Sequence, residues 1–207
     1  MASLRERNKL RTRELISDVA TRLFLEHGFE AITIAEVAAA AGVAKMTVTN
    51  HFPRKEDLVL DLHEELVAGP ARAVGARSAG ESALDALRRH FLEALDRYDP
   101  ALGFSGAPFA AMLLGSPALL ARLREIHEER ERALADVLIR ETRPAPGDPM
   151  PRLAAGQMIA IYRVLLHEAL CLTARGVGQE EVHAYLAGGA RSAFSLLAPG
   201  LGDYARR

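Results

Sequence analysis

The sequence contains no tryptophan, a single cysteine and only 5% aromatic residues. One cysteine, Cys171, cannot form a disulfide within the chain, so a disulfide-stabilised secreted scaffold is excluded and a reducing cytoplasm is expected. The amino terminus lacks the apolar run of a signal peptide. The most apolar stretch, residues 158–172, is too short to span a membrane and carries charged side chains. These absences predict a soluble cytoplasmic protein.

A net basic charge is also missing, because 26 Lys and Arg residues are balanced by 27 Asp and Glu residues, for a formal net charge of −1. The charge is unevenly distributed, however. The first 13 residues contain one acidic side chain, Glu6, and five basic ones, namely Arg5, Arg7, Lys9, Arg11 and Arg13. Because phosphates respond to local charge, the overall balance is compatible with a nucleic-acid contact by this basic arm.

The residues that are abundant favour helices. Apolar residues make up 49% of the 207 residues, and with so few aromatics they predict an all-α protein with a core of alanine and leucine. The length suits one small domain followed by one medium domain.

Residues 34–53 have the spacing of a helix-turn-helix. The small Ala38 allows two crossed helices to approach closely, and Gly42 supplies the positive φ that turns the chain between them. Three valines are expected to point inward between the helices: Val37, Val43 and Val48. The outward face of the second helix, which is the part that enters a major groove, carries Lys45, Met46, Thr49 and Asn50.

The segments around this motif extend the pattern. Thr33 is expected to cap the first helix of the motif, with Glu36 as its capping-box partner. With these flanks the chain resembles the TetR family of bacterial transcriptional regulators. The matching segments, all within residues 9–60, are Gly28-Phe29, Thr33–Ala38, Gly42-Val43 and Phe52–Leu58.

The resemblance implies an amino-terminal three-helix helix-turn-helix DNA-binding domain over residues 1–58. A larger helical domain for effector binding and dimerisation is expected over residues 59–207. The residues expected to contact DNA are Thr33, Lys45, Met46, Thr47, Thr49, Asn50, His51 and Lys55. Two positions depart from the family, because Ala44 replaces a frequent capping Ser and Thr49 replaces a common Tyr. The bases that are read therefore do not follow from the resemblance.

Beyond Leu58 the helices are predicted from periodicity. A fourth helix is expected over about residues 55–67, followed by a joint rich in Gly, Ala and Ser over residues 68–82. Further helices are predicted over about residues 81–98, 109–114, 116–142, 152–174 and 180–197.

The last two helices are expected to form the dimer interface. The first is apolar on nearly all sides, and the second carries Gly188-Gly189 in its middle, where each Gly is costly unless two backbones approach closely. The predicted interface residues are Met158, Ile161, Leu165, Val182, Leu186, Gly189, Ala193 and Leu197. Periodicity shows only burial, so an internal hairpin within one subunit is the alternative; the resemblance adds the pairing of two copies in a four-helix bundle.

An effector pocket is expected among large apolar residues near breaks in the helices of the second domain. Its predicted lining is Phe91, Phe104, Phe109, Met112, Leu113, Tyr162, Arg163, Leu166 and His167, with core packing as the alternative for each. The polar group of Arg163, His167 and Glu168, near Cys171, either orients a ligand, forms an interior pair or hydrogen-bonds across a dimer.

These features predict a homodimeric transcriptional regulator of the cytoplasm that binds a palindromic operator and responds to a small, largely apolar effector. Repression is favoured because most relatives occlude a promoter, and activation stays open. No cofactor or metal is expected. Two alternatives are a TetR-like protein without an effector and an all-α enzyme. The enzyme would use His167 with Cys171, or a metal on His90, His127 and His167, but no metal-binding spacing or third orienting group is present.

Overall fold

The structure, a computed structural model, describes residues 4–207, with side chains from Glu6 onward. The described residues form helices and no strand, which confirms the all-α prediction. The helices are α1 (Leu4–His27), α2 (Ile34–Ala40), α3 (Lys45–His51), α4 (His63–Gly75), α5 (Ala83–Asp96), α6 (Ala107–Gly115), α7 (Pro117–Thr142), α8 (Met150–Ala174) and α9 (Gln179–Leu201). Short 3-10 helices lie at Glu56–Leu58 and Pro100–Leu102.

The described chain divides into two compact units. The first comprises the residues up to His63 together with Met112–Arg122, and the second comprises Glu64–Ala111 and Leu123–Arg207. The boundary differs from the one predicted after residue 58, and the segment 112–122 was not expected in the first unit.

Two polar contacts explain why that segment belongs to the first unit. The Ser116 hydroxyl donates to the Glu30 carboxylate over 2.8 Å. The Arg122 guanidinium donates through Nε to the Asp57 carboxylate over 2.9 Å, and both side chains are almost fully buried. Neither contact is visible in sequence periodicity, because each joins residues more than sixty positions apart in the chain.

The core of the first unit forms around α1 to α3. Ile16, Ala20 and Phe24 of α1 are fully buried or nearly so, and the Phe24 ring meets the Phe29 ring edge-on with centroids 5.1 Å apart. Val37, Ala38 and Val48 are buried between α2 and α3. Gly42 adopts φ +67° in the turn, a left-handed conformation that a Cβ would strain. The geometry of the helix-turn-helix is therefore the predicted one.

The fourth helix is not the predicted one. The chain turns through the 3-10 helix at Glu56–Leu58, and α4 begins only at His63. Asp57 explains the turn, because its carboxylate accepts the backbone N–H of Arg54 while it pairs with Arg122. The predicted joint is largely helical, since α4 continues through Pro70 to Gly75.

The packing of α8 on α9 corrects the predicted dimer interface. Met158, Ile161, Leu165, Val182 and Leu186 are all buried in the core of their own chain, which also covers Ala193 and Leu197 in part. A Cβ on Gly189 would lie 2.8 Å from the Leu165 side chain, so this Gly permits close packing of α8 and α9 within one subunit. A charged residue at Leu186 would therefore disrupt the core rather than the assembly.

By length and composition α8 is apolar enough to cross a membrane, but half of its most apolar window is buried inside the protein. That burial is typical of a core helix.

Candidate functional site

The outward face of α3 is open to solvent. Lys45 and Asn50 are exposed, Met46 is 69% exposed, and Thr47 and Thr49 are half-buried. Ala44 stands at the N-cap with no side-chain hydrogen bond, as its identity implies. The Met46 side chain is therefore accessible to another molecule.

Two threonines of the predicted DNA contact use their hydroxyls locally. The Thr49 hydroxyl donates to the Met46 carbonyl over 3.1 Å, so its methyl group is the part left for recognition. Thr33 forms the predicted capping box, because its hydroxyl accepts from the Glu36 N–H and the Glu36 carboxylate accepts from the Thr33 N–H. Thr33 therefore fixes the start of α2, and because its hydroxyl and its N–H both donate to the Glu36 carboxylate, its contact with DNA stays a prediction.

Lys55 makes an internal contact that the sequence did not predict. Its ammonium donates to the Phe29 carbonyl and lies 4.3 Å from the centre of the Phe29 ring. The charge therefore stabilises the interior of the first unit through a hydrogen bond and a cation–π contact.

Arg13 of the basic arm is also used internally. Its guanidinium donates to the carbonyls of His51, at the end of α3, and Asp61, and lies 4.3 Å from the centre of the Phe52 ring. The remaining described basic residues of the arm, Arg7, Lys9 and Arg11, are exposed along α1. The side chain of Arg5 lies outside the described residues.

The His51 ring is half-buried at the end of α3. Burial lowers the pKa of His51, and the nearby charges of Lys9 and Arg13 lower it further. The imidazole is therefore neutral at neutral pH, and it offers a phosphate one hydrogen bond rather than a charge.

The second unit contains a cavity of about 50 Å³ between α4, α5, α7 and α8. Its lining residues are Glu65, Leu66, Pro70, His90, Ala94, Arg97, Asp99, Ala101, Leu102, Arg130 and Tyr162. Of the residues predicted from the sequence to form a pocket, Tyr162 alone lines this cavity.

The other predicted pocket residues lie elsewhere. Phe91, Phe104 and Leu166 are buried, with Phe91 packed edge-on against Tyr162 at 5.3 Å between ring centroids. Phe109 is half-buried on α6. Met112 and Leu113 belong to the first unit, and Arg163 and His167 are exposed on α8. These residues do not line this cavity, and helical spacing alone does not distinguish a core stripe from a pocket wall.

Tyr162 and His90 form a hydrogen-bonded pair at the cavity. The Tyr162 hydroxyl donates to the Leu87 carbonyl over 2.9 Å. His90 Nδ1 lies 3.0 Å from the hydroxyl oxygen of Tyr162. Since the hydroxyl hydrogen is already used, His90 Nδ1 must carry the proton and donate to Tyr162. Burial raises the pKa of Tyr162 and lowers that of His90, so both groups are neutral.

Arg130 is the least expected residue at the cavity, because only 3% of it is exposed. Its Nε–H donates to the backbone carbonyl of Leu66 in α4. In a regular helix the N–H of position 70 would serve this carbonyl, but Pro70 has none. Arg130 thus supplies the donor that Pro70 removes. Its burial lowers the pKa of Arg130 to about 10, a value at which the guanidinium is still charged at neutral pH.

His127 lies one turn before Arg130 on α7 and is 7% exposed. Its Nδ1 is buried and has no hydrogen-bond partner among the described residues. Burial lowers the pKa of His127 to about 3, and the charges of Arg130 and Arg163 contribute to this shift. The ring is neutral at physiological pH.

A signal for Arg130 is present in the sequence. The buried stripe of α7 runs through Leu119, Leu123, Ile126, Leu134 and Leu138, with Arg130 at the one position of this helical repeat where an apolar residue is missing. A charged residue within a buried stripe predicts a buried partner or a ligand contact.

In the described part of the chain, the structure does not bring together all the groups that either of the two catalytic alternatives requires. Among residues 4–207, no three His, Cys, Asp or Glu side chains are close enough to hold a metal ion. The Cys171 Sγ lies 3.6 Å from His167 Nε2, on the exposed side of α8, without a third group to orient the pair.

The fold and the site define a class of protein: a helix-turn-helix unit joined to a helical unit that contains a small cavity. The profile for bacterial regulatory proteins of the tetR family matches residues 16–62. The transcriptional regulator TcmR of Streptomyces glaucescens is 33% identical over 171 residues, which cover 80% of this chain and 76% of TcmR. The chain therefore belongs to the TetR family of bacterial transcriptional regulators.

Solved structures share the fold. The repressor NalD of Pseudomonas aeruginosa superposes with a TM-score of 0.54 at 19% identity, over 90% of this chain and 97% of NalD. The repressor FadR of Thermus thermophilus, solved with lauroyl-CoA, gives a TM-score of 0.52 at 24% identity, over 91% of this chain and 94% of FadR.

A first prediction concerns the link between Pro70 and Arg130. Arg130→Met leaves the Leu66 carbonyl buried without a donor, at a cost of about 1–3 kcal/mol. In a Pro70→Ala background that cost is expected to be smaller by roughly 1 kcal/mol, because position 70 regains its N–H. Denaturant unfolding of the four proteins measures the coupling. The exposed Arg132→Met, on the same helix, should cost the same in both backgrounds; equal costs for Arg130→Met would disprove the link.

A second prediction concerns the pH dependence of stability. The pKa of His127 is about 3 in the folded protein and 6.5 when unfolded, so the unfolded chain takes up the proton first as pH falls. The folded state is therefore favoured above pH 6.5 and loses about 2 kcal/mol from this group between about pH 7.5 and pH 5. This loss is measured by comparing the unfolding free energies of the wild type and of His127→Leu across this pH range. Parallel pH profiles for the two proteins would contradict it.

Proposed function

We propose that this protein is a cytoplasmic, homodimeric repressor that binds a palindromic operator through α3 and is released by a small, largely apolar effector in the second unit. The observation that carries the proposal is the exposed face of α3, held at a fixed angle by the buried contacts of Val37, Ala38 and Val48. TcmR, at 33% identity, is a transcriptional regulator, which supports the same activity here.

Base reading is assigned to three exposed side chains of α3. Lys45 suits the acceptors of guanine, Asn50 suits adenine through two hydrogen bonds, and Met46 suits the thymine methyl. Phosphate contacts are assigned to Arg7, Lys9 and Arg11 of α1, because these charges are exposed, whereas Arg13 donates to carbonyls within the unit.

The dimer is assigned to the outward faces of α8 and α9. Val164 is 47% exposed, Tyr185 48% and Leu196 80%, an unusual exposure of apolar side chains on two core helices. They are proposed in place of Met158, Ile161, Leu165, Val182 and Leu186, which are buried within one chain. Two copies on a two-fold axis would place two α3 helices on the half-sites of a palindrome.

Effector control is assigned to the cavity lined by Arg130 and Tyr162. The FadR structure contains lauroyl-CoA, which supports ligand binding by a protein of this fold. The cavity borders α4, the helix that follows the helix-turn-helix unit in the chain. An effector that binds more tightly when α4 occupies a different position would favour that conformation. DNA affinity would then fall by an amount set by the difference between the effector's affinities for the two conformations.

The DNA assignment is tested with an operator selected from a pool of random duplexes. Lys45→Ala and Asn50→Ala should each lower the preference for this operator over random duplex by roughly 1–3 kcal/mol. Arg11→Ala should weaken both complexes alike and reduce the salt slope by about one unit. Arg124→Ala, which removes an exposed charge from the second unit, is the control. A constant preference in the α3 variants would exclude Lys45 and Asn50 from base reading.

The dimer assignment is tested with Leu196→Glu, which places a charge on the proposed interface without entering the core. Sedimentation is expected to show folded monomers, and operator affinity should fall toward the level for random duplex because one particle no longer grips two half-sites. Ile139→Glu, at a 37% exposed apolar position on α7, is the matched control and should stay dimeric. A dimeric Leu196→Glu protein would place the interface elsewhere.

A further inference from the structure

Arg130 is a buried cation for which the described residues provide no acidic partner. Its contacts are the Leu66 carbonyl and the Tyr162 ring, whose centre is 5.5 Å from the guanidinium carbon. Burying a charge without an opposite charge is costly, so a partner is expected where the fold leaves room for one.

The carboxylates that line the cavity are already committed. Glu65 pairs with Arg72. Asp99 accepts the backbone N–H of Ala101 and lies 3.6 Å from Arg97. The space beside Arg130 is therefore not filled by a side-chain anion of the cavity wall.

We propose that the cavity binds the carboxylate of an otherwise apolar effector, and that this carboxylate pairs with the Arg130 guanidinium. The inference rests on the proposed function, which it deepens by naming the chemical class of the effector and the residue that recognises it.

The geometry of Arg130 fits this role. Its Nε–H is used by Leu66, which leaves the two Nη groups, and a planar carboxylate accepts from adjacent guanidinium donors through two parallel hydrogen bonds. His90 and Tyr162 beside it are neutral, so neither of them pairs with the positive charge of Arg130 in place of the carboxylate. With His90 Nδ1 donating to Tyr162, His90 Nε2 is left as an acceptor and adds no second positive charge.

The cavity is large enough for the acid group of the effector but not for the rest of the molecule. A volume of about 50 Å³ admits a carboxylate or one to two water molecules, whereas pockets for whole ligands are about 300 Å³ or larger. The acid group therefore fits the described cavity, and an apolar body of the effector requires the walls to open. The apolar wall residues Leu66, Ala94 and Leu102 suit such a body.

The same guanidinium gives the site a route to regulation. Nε completes the hydrogen bonding of α4 at Leu66, while the Nη groups are available to the anion. A carboxylate that draws Arg130 toward itself changes the donor available to Leu66, and with it the preferred geometry of α4 around Pro70.

The experiment compares carboxylates with their neutral amides on the full-length protein. The probes are acetate and acetamide, which fit the present cavity, and octanoate and octanamide, which require it to open. At constant ionic strength, set with chloride, both carboxylates should raise the melting temperature of the wild type, and octanoate should bind roughly tenfold or more tightly than octanamide. Equal effects of acid and amide, or no effect of either acid, would overturn the inference and leave water or chloride as the occupant of the cavity.

Variants assign the preference to Arg130. Arg130→Met should abolish it, and where that protein is unstable the Pro70→Ala/Arg130→Met double variant supplies the folded equivalent. Arg130→Lys keeps the charge without the planar fork and should retain a reduced preference. Arg132→Gln, an exposed neighbour on α7, should behave as the wild type. A full preference for acids in Arg130→Met would overturn the assignment.

Operator binding distinguishes failure of this inference from failure of the proposed function. If octanoate binds through Arg130 but does not release the operator, the carboxylate site stands and effector release fails. If no carboxylate binds while the protein still recognises its operator, DNA regulation stands and the carboxylate inference is wrong.

Discussion

The burial of Arg130 is the constraint on which the second unit depends. Pro70 removes the donor for the Leu66 carbonyl, and the arginine that replaces this donor brings a positive charge into the core. That charge opposes the protonation of His127, and it adds to the effect of the burial of His90, which lowers the pKa of His90. One imino acid in α4 thus determines which polar groups α5, α7 and α8 can place around the cavity, and it makes an external anion the natural counter-charge.

Cationic side chains serve a related purpose in the first unit. Arg13 and Lys55 each donate to a backbone carbonyl and lie over a phenylalanine ring, and Arg122 pairs with the buried Asp57. These three charges contribute to the packing of the first unit, although the sequence alone placed Arg13 and Lys55 only among residues expected to contact nucleic acid. The near-zero net charge is compatible with DNA binding for the same reason, because the charge that phosphates meet comes from a few exposed residues rather than from the whole chain.

The helix-turn-helix was predictable because its constraints are local. Ala38, Gly42 and the capping box of Thr33 with Glu36 act over a few residues, and each has the predicted geometry. The faces of α8 and α9 were not predictable, since both helices are apolar on several sides and periodicity does not say which stripe packs within the chain. Gly189 was correctly expected to permit close approach, but its neighbour is Leu165 of the same subunit. The internal contact of Lys55 was not predicted, because its partner, the Phe29 carbonyl, is a backbone atom without a sequence signal.

The position of Arg130 also limits how an effector can act. A ligand that binds two conformations equally shifts neither, however tightly it binds, so pairing with Arg130 changes DNA affinity only if the guanidinium occupies different positions in the two states. The contact between Nε and Leu66 supplies such a difference, because α4 at Pro70 lacks an internal hydrogen bond and is the part of that helix least fixed by its own backbone. An acid that competes for the orientation of the guanidinium therefore acts on the weakest point of α4. A neutral ligand that only fills the apolar part of the cavity does not change the orientation of the Arg130 guanidinium in this way, and so does not act on α4 through it.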